Sequence, residues 1–361
     1  MYALVNIFAL NKQTKVILNS KKSLFLVLFA LQSVFALAQD FHFSQYWAAP
    51  IKLNPALTGL FDGQLRLGAI YRNQWIQQQA FATYAVSADA NLFSKPLNGD
   101  VFGFGLSFYQ EIEGKNAFKN TGANLSLAFN KKIGKRKLIH YLGLGFDFSY
   151  FQKQINLQNA VYGNLFESGA NFDPVENYNY KSTSFADFGL GANYVLQINQ
   201  KHMMSLGFAV SHILNPNISF SANDEDVLYR KFSLNVSGQI QVKRDFINLN
   251  PLLLLQTQGP HTELLMGTYL QFILSQKNNT SIYAGAQYRL AAYENKALGG
   301  DAIILSVRAE HKSFDFGVAY DFTTSALSKN NVLQGGPEAY LIYILKGKDQ
   351  TNKQMSFCPK F

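Results

Sequence analysis

The side chains in this 361-residue sequence that could do chemistry are few and scattered. Six histidines (His42, His140, His202, His212, His261 and His311) include no pair at the i, i+4 spacing that turns two imidazoles toward one metal. Cys358 has no second thiol to bridge and no neighbouring metal ligand. The run Asn223-Asp224-Glu225-Asp226 gathers oxygens of the kind Ca²⁺ takes, but it lacks the spacing and glycine of an EF-hand and reads as a solvated loop. The serine elbow, the phosphate-binding loop, the zinc-protease helix and the dinucleotide turn are all missing from the sequence. No catalytic residue, cofactor or metal site is therefore expected. What remains is polar anchoring chemistry. Asn54-Pro55 starts a turn and Gly59 tolerates positive φ, shortly before a strand that carries Arg66, Arg72 and Gln74. That turn is a compact lead-in that seats the first strand or plugs the mouth of whatever the strands enclose, or else it is a docking surface.

The elements that must position these groups announce themselves by period. From Gly63 onward apolar residues recur at every second position. Phe314, Phe316, Val318, Tyr320 and Phe322 alternate with Asp315, Gly317, Ala319 and Asp321, and Leu142, Leu144, Phe146, Phe148 and Tyr150 alternate with Gly143, Gly145, Asp147 and Ser149. A soluble sandwich turns its large residues inward and its charges outward, whereas a membrane barrel reverses the two. Here the polar partners are mostly Gly, Ser, Asn and Asp, and the segments run longer than the usual five or six residues of soluble strands. Tyr71, Trp75, Tyr109, Tyr194, Tyr229 and Tyr340 lie toward segment ends, as interfacial girdles require. The expectation is an all-β transmembrane antiparallel barrel whose bulky face meets lipid.

Fourteen strands are predicted, near 64–76, 80–92, 101–111, 118–131, 137–153, 182–197, 202–214, 227–243, 246–257, 261–275, 279–291, 301–311, 313–324 and 337–347. An even number places both chain ends on one side, the periplasmic one, with short turns there and longer loops outside. On strand one, Leu65, Leu67, Ala69 and Tyr71 share the lipid face with Trp75, while Arg66, Arg72 and Gln74 point inward. Arg72 is expected to pair with a lumen carboxylate among Asp147, Asp187, Asp315 and Asp321, or else to contact a cargo segment. Such a barrel has a backbone diameter of roughly 28 Å, leaving a void of roughly 12–16 Å that a loop, a plug or a partner segment must fill, or else it leaks. The candidates are 154–181 and 39–62.

Residues 1–38 read as an export signal, with Lys12, Lys15, Lys21 and Lys22, an apolar run over 23–31 and a small-x-small site at Ala36-Leu37-Ala38. Its removal lowers the formal net charge from +9 to +5, too mild and scattered for nucleic acid. The domain plan is thus a signal (1–38), an N-terminal periplasmic or plug segment (39–62), a barrel (63–347) and a tail (348–361). Lys131, Lys132, Lys135, Arg136, Lys137, Lys243 and Arg244 form a basic periplasmic rim, which either sits at anionic headgroups or docks an acidic periplasmic subunit.

Three motifs then converge. Phe43-Ser44-Gln45-Tyr46, Asn54-Pro55-Ala56-Leu57-Thr58-Gly59 and Tyr71-Arg72-Asn73-Gln74-Trp75 resemble the N-terminal signature of the PorP/SprF-type proteins, and Pro337–Tyr343 and Cys358–Phe361 resemble that family's closing strand and tail. The resemblance implies an integral outer-membrane protein of the type IX secretion and gliding machinery. It further implies that the matched motif residues, Phe43, Ser44, Gln45, Tyr46, Asn54, Pro55, Gly59, Arg72, Gln74 and Trp75, are sites of structure or partner binding. Its implied partners are outer-membrane lipid, secreted adhesins bearing a C-terminal sorting domain, and periplasmic secretion components. A passive outer-membrane transporter of small solutes is the alternative, and an outer-membrane hydrolase a weaker one.

Overall fold

The computed structural model describes residues 40–74, 81–92, 99–114, 118–135, 138–155, 181–198, 202–221, 225–293, 297–324 and 335–346. The expected signal and tail lie outside these residues, as do Trp75, Arg136, Lys137 and nearly all of the candidate filler 154–181. Fourteen strands follow one another: β1 (Leu65–Gln74), β2 (Phe81–Leu92), β3 (Val101–Glu113), β4 (Phe118–Lys135), β5 (Leu138–Ile155), β6 (Lys181–Ile198), β7 (His202–Ser211), β8 (Lys231–Lys243), β9 (Ile247–Gln258), β10 (His261–Ser275), β11 (Thr280–Tyr293), β12 (Gly299–His311), β13 (Phe314–Thr323) and β14 (Gly336–Leu345). Each pairs antiparallel with its sequence neighbours, and β1 closes on β14 with Leu65 opposite Leu345 and Arg72 opposite Glu338. The barrel is thus closed, so no strand is left as a sheet edge along its full length. No helix among the described residues is long and apolar enough to cross a membrane, a statement that does not bear on strands.

The alternation in the sequence becomes a two-sided wall because successive side chains of a strand point to opposite faces. Leu144 is 68% exposed and Phe316 52%, while Asp147 and Asp321 on the same strands are buried. Residues that a soluble protein would hide thus cover the outside, and a soluble protein's surface residues cover the inside, as hydrocarbon surroundings demand. Tyr71, Tyr84, Tyr150, Tyr229, Tyr288 and Tyr320 stand on the outer face. Two tyrosines depart from the expected girdle: Tyr109 and Tyr340 are buried, because they fall on the inward parity of β3 and β14.

The ends of the barrel differ. At the end where β1 begins, most connections are short; β8 passes to β9 through 244–246 and β12 to β13 through 312–313. At the opposite end, 212–230 and 324–335 are longer. These are called the short-turn and long-loop ends below. Left-handed backbone at Asp245 (φ 59°), Asn279 (φ 47°) and Lys312 (φ 55°) tightens three of the short turns.

If the exposed face meets hydrocarbon, Val318→Arg, midway along β13, should destabilise the barrel by about 2–4 kcal/mol. Ala319→Ser, one residue on and facing inward, should cost far less. Urea unfolding in lipid vesicles gives both values, and equal costs would contradict the assignment of faces.

Candidate functional site

The interior is occupied by the protein's own chain. Residues 41–62 form a plug built from a 3-10 turn (Tyr46–Ala48), a four-residue helix (Pro50–Leu53) and a second 3-10 turn (Pro55–Leu57). Prolines at the starts of the helix and the second turn suit them, since a first-turn N–H has no intrahelical partner to lose. Asn54 caps the second turn, its Oδ1 accepting from Ala56 N at 2.9 Å. Phe43, Trp47, Ile51, Leu57 and Leu60 are all buried. Trp47 packs edge-on against Tyr269 of β10, with ring centroids 5.1 Å apart.

Near the long-loop end, wall charges converge on the plug backbone. Glu338 of β14 accepts from Ser44 N (2.8 Å) and Gln45 N (2.6 Å). Asp321 Oδ2 of β13 takes three donors: Ser44 Oγ (2.7 Å), Arg72 Nη2 (2.9 Å) and Arg289 Nη1 (2.8 Å). Arg72 also donates to the His42 carbonyl (2.7 Å), and Arg289 Nε to Asp301 (2.6 Å). Four strands of the wall thus meet over one plug residue, Ser44. Such a cluster is tolerable away from water only because each charge has opposite partners and hydrogen bonds. Of the four carboxylates named from sequence as partners for Arg72, the structure selects Asp321. Asp147 instead accepts from Asn124 and Ser149, Asp187 pairs with His212, and Asp315 takes Arg308 and Tyr340. Gln74 lies against the same guanidinium when its amide oxygen is turned to accept from Arg72.

A second anchor holds the plug's lower turn. Arg66 of β1 forks onto Asp89 of β2 (2.9 and 2.7 Å), and Asp89 also accepts from Gly59 N at 2.8 Å. Gly59 has φ +72°, a conformation only glycine adopts freely. Thr58 Oγ1 meets Ser126 Oγ of β4 at 2.7 Å, and Asn130 Nδ2 donates to the Ala56 carbonyl at 3.1 Å. Asn54 Nδ2 reaches the Ala192 carbonyl of β6 at 3.0 Å. Between these side chains the Asn54–Gly59 turn rests on glycines of the wall: a Cβ on Gly145 would strike Ala56, one on Gly191 would strike Asn54, and one on Gly103 would strike Thr58. On a third side, Lys52 Nζ stands 5.3, 5.0 and 5.6 Å from the ring centroids of Phe41, Tyr109 and Phe151.

The structure therefore brings Phe43, Ser44, Gln45, Tyr46, Asn54, Pro55, Gly59, Arg72 and Gln74 into one plug-to-wall assembly. Of the basic residues, Lys131, Lys132, Lys243 and Arg244 have described side chains. Lys131 and Lys132 lie within β4, which runs past the end expected at 131 because the β4–β5 ladder continues to Lys135 opposite Leu138. Lys131 Nζ pairs with Asp100 at 2.7 Å and Lys132 N donates to the same carboxylate at 2.9 Å, which together hold Asp100 below the usual carboxylate range. Lys243 and Arg244 sit apart at the β8–β9 turn, Arg244 beside Asp245 at 3.3 Å. Arg289, Glu338 and Asp89 were not singled out from sequence; their inward parity on amphipathic strands was the available signal. Among the described residues no group of His, Cys, Asp and Glu could hold a metal ion.

A family model matches residues 36–334, and it is the model of the type IX secretion system membrane protein PorP/SprF. The chain belongs to the PorP/SprF family. Together with the apolar outer face, this makes it an integral outer-membrane protein and a membrane component of type IX secretion. No curated protein matches the chain. Solved structures similar to it include a FadL homologue from Pseudomonas aeruginosa (11% identity, 80% of this chain and 92% of that one, TM-score 0.43). The toluene transporter TodX from Pseudomonas putida has 12% identity over 81% and 92%, with TM-score 0.44. CdiB from Acinetobacter baumannii has 9% identity over 78% and 60%, with TM-score 0.42.

Asp321→Asn removes the negative charge shared by two buried guanidinium groups, and the expected loss is about 3–5 kcal/mol in urea unfolding. Thr323→Asn, at the strand's end, should stay within about 0.5 kcal/mol. Equal behaviour of the two variants would show that the cluster does not hold the plug.

Proposed function

We propose that this protein is a non-enzymatic adaptor of the type IX secretion and gliding machinery. It holds adhesin-type cargo, recognised through the cargo's C-terminal sorting domain, at the long-loop end. Its short-turn end, which we place in the periplasm, faces the periplasmic components of the machine. The observation that carries this reading is the anchored plug. A barrel whose interior is taken up by its own chain, tied to β1, β2, β4, β6, β13 and β14, works through its surfaces more readily than through a pore. The same observation weighs against the passive transport of small solutes.

The basic residues of the short-turn end fit the periplasmic half of the proposal, since exposed lysines and arginines steer acidic partners. Lys131 keeps a 59% exposed side chain while paired to Asp100, and Arg244 is 84% exposed.

Two measurements test the reading. In planar bilayers the wild-type protein should show no persistent conductance, whereas Gly145→Val, which denies Ala56 its seat, should produce discrete channel steps. Steady wild-type conductance or solute flux would favour the transporter instead. Charge reversal of Lys131, Lys132, Lys243 and Arg244 together should lower co-purification of periplasmic secretion components at least fivefold. Unchanged recovery would remove the rim from the docking scheme.

A further inference from the structure

β4, β5 and β6 are each 18 residues long, but β7 has only 10. The β6–β7 ladder runs from Ile198 opposite His202 to Leu190 opposite Val210 and stops there, while the β5–β6 ladder continues without a bulge to Lys181. Asp187 lies three residues beyond the end of the shorter ladder. Its carboxylate meets His212 Nδ1 (2.7 Å) and accepts from Leu214 N (3.2 Å) and Phe188 N (2.7 Å). His212 takes φ +60°, and after one more main-chain bond to β6, from Ile213 N, the chain leaving β7 turns away from it. The departing segment buries Ile218 and Leu228 and brings Phe220 to Phe118 of β4, with centroids 6.1 Å apart.

The parity of the uncovered stretch can be read from its last bond. Ile213 N donates to the Phe188 carbonyl at 3.2 Å, so residue 188 directs its main-chain groups to the β7 side. In an antiparallel strand alternate residues share that direction. Ser182, Ser184 and Ala186 therefore aim three N–H and three C=O groups at a side where, among the described residues, no strand pairs with them. Their side chains are exposed. The registered outer row Val86, Phe108, Ala123, Tyr150, Ala186 is mostly apolar, and beyond it Ile112 is the one large aliphatic residue on the outer face of β2 to β6 among the described residues. The row above it, Tyr84, Gln110, Thr121, Gln152, Ser184, is mostly polar. The free edge thus begins where the greasy band ends and rises into the aqueous side.

Surface strands usually blunt such an edge with proline, a bulge or inward charge. Between Lys181 and the inward-pointing Asp187, residues 182–186 carry none of these. Main-chain donors and acceptors in alternation specify their occupant's chemistry: another extended polypeptide backbone. We infer that the β6 edge at Ser182, Ser184 and Ala186 is a strand-addition site for an extended segment of the exported partner. This deepens the adaptor reading and rests on it. Asp187 is its positioning residue, holding the chain after β7 off the edge.

The test is photocrosslinking in intact cells, with p-benzoylphenylalanine placed singly at Ser182, Ser184, Phe220 and Leu298. Adducts are identified by mass spectrometry, with and without an active secretion system. Secretion-dependent adducts from 182 and 184 should map to neighbouring residues of one segment of a secreted polypeptide. Ser184→Pro, which removes a donor from the edge, should cut the adduct from 182 at least tenfold, while Ser184→Ala leaves it unchanged. Heat-modifiable migration on gels verifies that the proline variant is a folded barrel. If the variant fails to fold, amide exchange of the wild type decides. The Ser182, Ser184 and Ala186 amides should exchange at least a hundredfold faster than those of Phe185 and Asp187 in the isolated protein, and slow once the secreted partner is bound. Adducts to a secreted partner from 220 or 298 but not from 182 or 184 would overturn the edge site and leave the adaptor reading standing. Adducts confined to lipid or to this chain at all four positions would overturn both.

Discussion

A wide barrel with a polar lining must give its inward groups partners, and the rest of this structure depends on how that is done. The wall presents carboxylates, guanidinium groups and amides to a space that its own side chains cannot fill. The plug meets them mainly with main chain. Glu338 and Asp89 accept from N–H groups of Ser44, Gln45 and Gly59, while Arg72 and Asn130 donate to carbonyls of His42 and Ala56. Satisfaction runs in both directions, so removing either member leaves orphaned polar groups in a low-dielectric setting. Plug and wall make one polar core, surrounded by an apolar coat where a soluble protein would have the reverse.

Function follows from what this arrangement takes away and what it leaves free. The interior is spent on internal anchoring, so the adaptor role proposed above assigns recognition to the two rims. At one rim lie charged side chains; at the other, loops and a strand that outruns its neighbour. Membership of the PorP/SprF family places these surfaces in type IX secretion.

Much of the wall was legible in the sequence because a period of two has one physical meaning when bulky and small residues alternate for ten or more positions. Arg72 was legible for the same reason: a charge on the small-residue face has to point inward and find a carboxylate there. Which carboxylate was not legible, because Asp321 reaches Arg72 only through the closure of β14 onto β1, a contact between chain ends that local pattern does not encode. Tyr109 and Tyr340 misled for a related cause. Residue type argued for the lipid interface, but parity decided, and parity is reliable only where the strand's register is known. The roles of Gly103, Gly145 and Gly191 were hidden because a missing side chain explains itself only when the segment that needs the room is in place.

The path of the plug has a consequence for biogenesis. Phe41 and His42 lie near the mouth opposite the one where the first strand begins, so the polypeptide descends the whole interior before it turns back up as wall. Seating the segment and shutting the cylinder are coupled. Ser44 bonds to Asp321 and Glu338 on one flank of the β1–β14 joint and to Arg72 on the other, so whatever steadies the segment in place also steadies the closure.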